Sequence, residues 1–260
     1  MDLEFWTFFG VGFIAQLVDG AMGMAYGVVS STVLLAFGVP PAQASASVHV
    51  AEVFTTAASG TSHALHRNVN WRLFRRLALP GAIGGIIGAY VLTQIDGDAI
   101  RPFITAYLAI IGAFILYKGV TTLHRVPREI GWEASPLGFA GGFLDAVGGG
   151  GWGPVVTSTL VASGSAPRQT IGTVNTAEFV VTIAISATFV IALFTGNWTG
   201  SKDIAGHAWA VGGLIAGGVL AAPVAAWVVK IIPQRTLMIM VGTLIILVAG
   251  FQTAKLFNLV

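Results

Sequence analysis

Four acidic side chains lie inside otherwise apolar stretches of this chain: Asp19, Glu52, Asp145 and Glu178. An unpaired charge at the centre of a bilayer costs about 3 kcal/mol, so residues of this kind mark binding, relay or switching positions. Apart from Arg168, at the very start of the stretch that holds Glu178, no lysine or arginine falls within the same stretches to neutralise them. Burial without a counter-charge favours the protonated form, which makes proton exchange a candidate chemistry. Glu52 and Glu178 fall mid-helix, where no free N–H groups call for a cap, and proton coupling is assigned to them. Asp19 and Asp145 stand beside glycine-rich breaks. There a carboxylate either caps the orphan N–H groups of the next helix or takes part in coupling, and both roles stay open.

The glutamates sit on polar stripes. Ser45, His49, Glu52, Thr56, Ser59 and His63 recur at steps of four and three, which places them on one helix face. Asn175, Glu178, Thr182 and Ser186 repeat the pattern later in the chain. Such stripes either hydrogen-bond neighbouring helices or line a substrate path; the lined path is the preferred reading, with Thr56 and Thr182 as structural or coupling positions. His49 and Glu52, three apart, can hold a metal or relay a proton. Asn175 stands in the corresponding second position and is a poor metal ligand. His49 is therefore read as a hydrogen-bonding or proton-relay group, and no metal set, cofactor or catalytic residue is expected.

The elements that must position these groups begin with the glycine-rich stretch Gly138 to Pro154. Glycine gives up the most backbone entropy in a helix, so the helix should end near Gly148 and a new one begin near Trp152, with Pro154 in its first turn. A half-helix starting near the membrane midplane aims free N–H groups and its positive dipole end into the protein, which suits an anion. Two such starts are expected, Met24 to Gly27 and Gly150 to Gly153, with Tyr26 and Trp152 as candidate walls. The run lacks the lysine and Ser/Thr of a P-loop, which excludes nucleotide binding of that type.

The chain as a whole is 55% hydrophobic and 9% charged over 260 residues, with mean hydropathy +0.83. Its apolar runs are continuous rather than alternating, so the expected fold is an all-α polytopic membrane protein and not a β-barrel. Eight apolar segments are marked off, near 5–38, 41–66, 72–95, 99–123, 135–164, 167–197, 205–230 and 235–257. Cysteine is absent and the net charge is +2, so disulfides, thiolate metal sites and a nucleic-acid surface are excluded. The opening MDLEFWTFFG places Asp2 and Glu4 where a secretory signal carries basic residues, so no cleaved peptide is expected.

Sliding residues 12–60 onto 138–186 without a gap pairs Gly12 with Gly138, Asp19 with Asp145, Gly23 with Gly149 and Gly27 with Gly153. The register continues through Pro41 with Pro167, Glu52 with Glu178 and Thr56 with Thr182. The expected organisation is a first transmembrane repeat at 1–123, a cytoplasmic linker at 124–134 and a second repeat at 135–260. Each repeat is read as a broken-helix hairpin followed by three transmembrane helices, giving up to ten helices. A hairpin plus three spans makes an odd number of crossings, so the halves are inverted, a build common in secondary transporters. Inversion places ten of the thirteen basic residues on one face, Arg67, Arg125, Arg168 and Lys230 among them. Arg101, Lys202 and Lys255 remain on the other, which puts both termini outside by the positive-inside rule.

The two glycine motifs, LVDGAMGMAYGV and GGFLDAVGGGGWGPVV, with the TVNTAEF that follows, resemble those of the TauE/SafE-type sulfite and organosulfonate exporter family. The resemblance spans nearly the whole chain. It implies movement of small sulfur-containing anions across the bacterial cytoplasmic (inner) membrane, mostly as export. Carried over residue by residue, it implies an anion region at Gly149, Gly150, Gly151, Trp152 and Gly153 with Asn175, and a counterpart at Gly23, Met24, Tyr26 and Gly27 with His49. The first half departs from the glycine-rich form, with Met22, Met24 and Ala25 where the second has Gly148, Gly150 and Gly151.

The function expected is thus a secondary transporter of a small anion, with an uncoupled anion channel or a carrier of another anion such as a carboxylate as alternatives. An intramembrane enzyme would need a nucleophile or metal shell that the sequence does not assemble. Expected partners are the small anionic substrate, the lipid bilayer and at most a second copy of the chain as a homodimer. No nucleic acid and no ATPase subunit are expected.

Overall fold

The computed structural model describes residues 2–121, 131–198, 208–231 and 234–257. Every regular element among them is helical. The first half runs α1 (Asp2–Met22), α2 (Tyr26–Ala36), α3 (Pro41–Leu65), α4 (Trp71–Gln94) and α5 (Gly97–Val120). The second runs α6 (Ala134–Gly148), a π-helical turn (Gly153–Thr157) leading into α7 (Ser158–Ala162), then α8 (Pro167–Phe194), α9 (Ala208–Ile231) and α10 (Gln234–Leu256). Linker positions 124–130 and Lys202 lie outside the described residues, as does the expected linker's role; Glu133 stands at the start of α6.

Local chemistry sets the boundaries. Pro41 and Pro167 open α3 and α8, where their missing N–H has no partner to lose. Asn70 caps α4 by accepting from the N–H groups of Arg72 and Leu73, both at 3.1 Å. Asp96 does the same for α5 through Asp98 and Ala99.

Among the described residues, four helices are by length and composition apolar enough to cross a membrane: α4, α5, α8 and the Met238–Leu256 part of α10. The α3 segment differs because it carries the polar stripe, which it turns inward: Ser45, His49, Glu52 and Thr56 are buried, and the face emerges only towards His63 and His66. Large apolar side chains point outward instead, among them Leu79, Phe103, Ile191 and Leu247. In water that surface would be strongly unfavourable; in lipid it is the expected one. The molecule is an all-α polytopic membrane protein.

Packing crosses between the halves. The first helix of each half lies along the fourth membrane helix of the other: α1 against α9, and α6 against α4. Both seams are built from glycine, where a side chain would strike backbone. A Cβ on Gly138 would stand 2.8 Å from Leu77 O, one on Gly142 would meet Gly81 O, and one on Gly12 would stand 2.5 Å from Leu214 O. Close backbone approach of this kind supplies the van der Waals contact that holds membrane helices together. Gly142→Val is expected to destabilise the protein by about 3 kcal/mol through overpacking, read as a lower melting temperature in detergent.

The stripe-bearing helices α3 and α8 pack against each other and run antiparallel. Gly60, late in α3, lies against Thr176, early in α8, whereas Gln43 and Ser47 share a cavity wall with Ser186 and Phe189. Their two polar faces thus meet in one core shared by both halves.

Candidate functional site

The two helix breaks are built alike. Gly23 and Gly149 follow the last residues of α1 and α6 with φ of 65° and 68°, left-handed values that glycine adopts without strain. The N–H of Gly23 donates to the Asp19 carbonyl at 2.6 Å, and that of Gly150 to the Asp145 carbonyl at 3.2 Å. Ala25, in the first break, holds φ at 124°, strained for a residue with a Cβ.

Across each break the aspartate reaches the next helix. Asp145 Oδ1 accepts from the N–H groups of Gly151 at 2.6 Å and Trp152 at 2.9 Å. Asp19 Oδ1 accepts from Tyr26 N–H at 3.4 Å. The carboxylates thus occupy donors that the sequence reading offers to an anion, and an anion reaching them has to displace a cap. Replacing Asp145 with alanine leaves two buried N–H groups unpaired and is expected to cost on the order of 3 kcal/mol. Asp145→Asn keeps an acceptor and should cost less than half as much; melting temperatures of the two variants measure the difference.

The breaks touch each other. A Cβ on Gly27 would stand 2.7 Å from both Gly150 Cα and Glu52 Oε1, and one on Gly153 would stand 2.6 Å from Met24 Cα. The flanking aromatics lock the crossing. Trp152 is fully buried and donates its indole N–H to Val174 O at 3.1 Å; Tyr26 donates its hydroxyl to Leu214 O at 2.9 Å.

Around this crossing lie the polar faces of α3 and α8. Glu52 and Glu178 are 2% and 6% exposed, and the Oε2 atom of each has no hydrogen-bond partner. Both amide atoms of Asn175, which lies against Gly23, also lack a partner. Thr56 and Thr182 turn their hydroxyls back onto their own helix, towards the carbonyls of Glu52 and Phe179. All four carboxylates are close enough to act electrostatically on one another. Unsatisfied polar atoms in a core are costly, so their concentration here points to a site that a mobile species fills.

His49 is completely buried and pinned from behind. Its Nδ1 lies 2.7 Å from the Ser45 carbonyl oxygen, which only accepts, so Nδ1 carries the hydrogen. Nε2 faces Asp145 Oδ2 at 3.2 Å and Glu52 Oε2 at 4.0 Å. The Ser45 hydroxyl donates to Ala146 O at 2.5 Å and ties α3 to α6.

Two further residues of this site, Tyr107 and Thr157, are brought to it by the fold. Tyr107 of α5 aims a buried, unpartnered hydroxyl at Gly151; a phenol within the apolar run ITAYLAIIG is the available signal. Thr157, which donates to Gly23 O at 3.0 Å, gives no such signal because its partner lies on another element. On the side of α5's start, two cavities share Gln43 and Trp198. One, of about 310 Å³, extends along Ser47 and Ser186; the other, of about 260 Å³, reaches Asp96 and Arg101. None of the four carboxylates lines either cavity, so the core is closed off from this vestibule in the conformation seen.

An all-helical membrane protein with interlocked broken helices around a closed, acidic core has the build of a membrane transporter. Residues 8–251 match the sulfite exporter TauE/SafE family, and the chain belongs to that family. It is 44% identical over 245 residues to the probable membrane transporter protein YtnM of Bacillus subtilis strain 168, covering 92% of this chain and 79% of that protein. It is also 30% identical over 105 residues to the probable membrane transporter protein ORF9 of a Sinorhizobium species, covering 39% of this chain and 40% of that one.

Proposed function

We propose that the protein is a secondary transporter that exports a small sulfur-containing anion, sulfite or an organosulfonate such as sulfoacetate, across the bacterial cytoplasmic membrane. Protons couple through Glu52 and Glu178. The observation that carries this reading is the meeting of two helix breaks beside the unpartnered atoms of Glu52, Glu178 and Asn175. The helix-start N–H groups supply donors for a small anion once Asp19 or Asp145 moves aside.

The two repeats, 1–123 and 135–260, are read as inverted about the 124–134 linker, with both termini outside. The antiparallel course of α3 and α8, and the reciprocal seams α1 with α9 and α6 with α4, support that reading. Inverted repeats let one half rock against the other, so the vestibule at Gln43 and Trp198 opens on one face while the opposite face shuts. The chain carries no nucleotide motif, so the energy is that of the substrate or proton gradient.

The test is flux of labelled sulfite and sulfoacetate into proteoliposomes. Saturable flux, inhibited by excess unlabelled anion and raised at least tenfold over empty liposomes, is expected. Flux no higher than in empty liposomes for either anion removes the substrate assignment, and single-channel current recorded in a planar bilayer replaces the transporter with an anion channel.

A further inference from the structure

His49, Glu52 and Asp145 converge from two helices in different halves of the chain, all buried, with one ligand atom of each within 4.8 Å of the others; His49 Nε2 faces Glu52 Oε2 and Asp145 Oδ2. We propose that these three atoms form a binding site for a divalent transition-metal ion of the Zn2+ or Mn2+ type.

The hydrogen-bond pattern leads there. With its hydrogen on Nδ1, neutral His49 presents a bare lone pair at Nε2, and it faces carboxylate oxygens, which are also lone-pair donors. Something positive has to lie between them. A proton on Nε2 serves Asp145 at 3.2 Å but leaves Glu52 Oε2 at 4.0 Å without a partner, as observed. With Glu52 ionised it also leaves one net negative charge among these three groups, which no lysine or arginine approaches in an ion pair among the described residues. A divalent ion binds all three atoms and brings their summed charge to zero, removing the cost of an unpaired buried carboxylate.

Two of the three ligands are already held for the task. The Ser45 carbonyl orients the imidazole through Nδ1, the usual arrangement behind a metal-bound histidine. The N–H groups of Gly151 and Trp152 fix Asp145 through Oδ1 and leave Oδ2 free. Metal–ligand bonds near 2.1 Å put tetrahedral ligand atoms about 3.4 Å apart. The His49–Asp145 contact is near that spacing at 3.2 Å, and the Glu52 side chain closes from 4.0 Å by a small rotation. One nitrogen and two oxygens, with no thiolate, suit Zn2+, Mn2+ or Co2+ rather than a soft ion. A metal on Glu52 also excludes a proton from the same oxygen. That consequence, unlike the site itself, rests on the coupling role proposed above: the ion should inhibit transport and a chelator relieve it.

The experiment uses the full, untagged chain in detergent, stripped with EDTA and dialysed against Zn2+, Mn2+ or Co2+, with bound metal counted by mass spectrometry. One ion per chain is expected for at least one of these metals, with a rise in melting temperature. Bound Co2+ should show d–d bands of a low-symmetry, four- or five-coordinate site. Glu52→Gln, which removes no hydrogen bond of the Oε2 atom, and His49→Gln should each weaken binding at least tenfold. No stoichiometric binding by the wild type, or binding unchanged in both variants, overturns the site. Because the readout is metal content, such a failure leaves the transport reading standing, and absent anion flux would not touch the metal site.

Discussion

Glu52→Gln and Glu178→Gln are each expected to leave a protein that folds and binds anion but whose flux no longer responds to a pH gradient. Both side chains are buried, and the Oε2 atom of each has no partner in the core, so the amide breaks no hydrogen bond there. What it removes is a proton that can be gained and lost. A gradient of one pH unit stores about 1.4 kcal/mol per proton, enough for tenfold accumulation of a monovalent anion coupled to one proton. In EDTA-treated proteoliposomes the wild type should approach that ratio and each variant should fall to the ratio set by the anion gradient alone. Unchanged coupling in both variants removes the glutamates from the proton path. Loss in one alone assigns the path to that half of the core.

The second large effect is expected at the crossing of the breaks. Gly150→Ala should prevent folding or lower stability by about 4 kcal/mol, the sum of backbone strain and overpacking. Gly150 has φ of 154°, and a Cβ there would strike the backbone at Gly27 and Val28. Those atoms belong to the opposite break and cannot yield without parting the two helix starts. Gly10→Ala is the control: it lies within α1 with nothing within 4 Å of a new Cβ. It should be close to neutral. Expression and melting temperature of the two variants in parallel give the comparison, and equal behaviour would show that the crossing tolerates separation.

Much of the architecture is legible in the residues because its causes are local. Apolar length marks the spans, and the proline and glycine punctuation places α3 at Pro41, α8 at Pro167 and the break after Gly148 close to where they occur. The periodicity of Ser45, His49, Glu52 and Thr56 places one inward face, and α3 does bury it. The π-helical turn at Gly153–Thr157 carries no comparable signal, since it arises where the chain meets Gly23 and Met24 of the other break.

The class of protein, its helical elements, the two breaks and the inward polar faces follow from the residues alone, because helix length and amphipathicity depend on neighbours a few positions away. What those faces meet depends on the fold. His49 and Glu52 alone are two residues of one helix; Asp145 reaches His49 from 96 positions away. The same fold turns Asp19 and Asp145 into caps over their own breaks and threads α1 along α9 and α6 along α4. Contacts of that range follow from how glycine seams fit together in three dimensions, and no periodicity in a single segment encodes them.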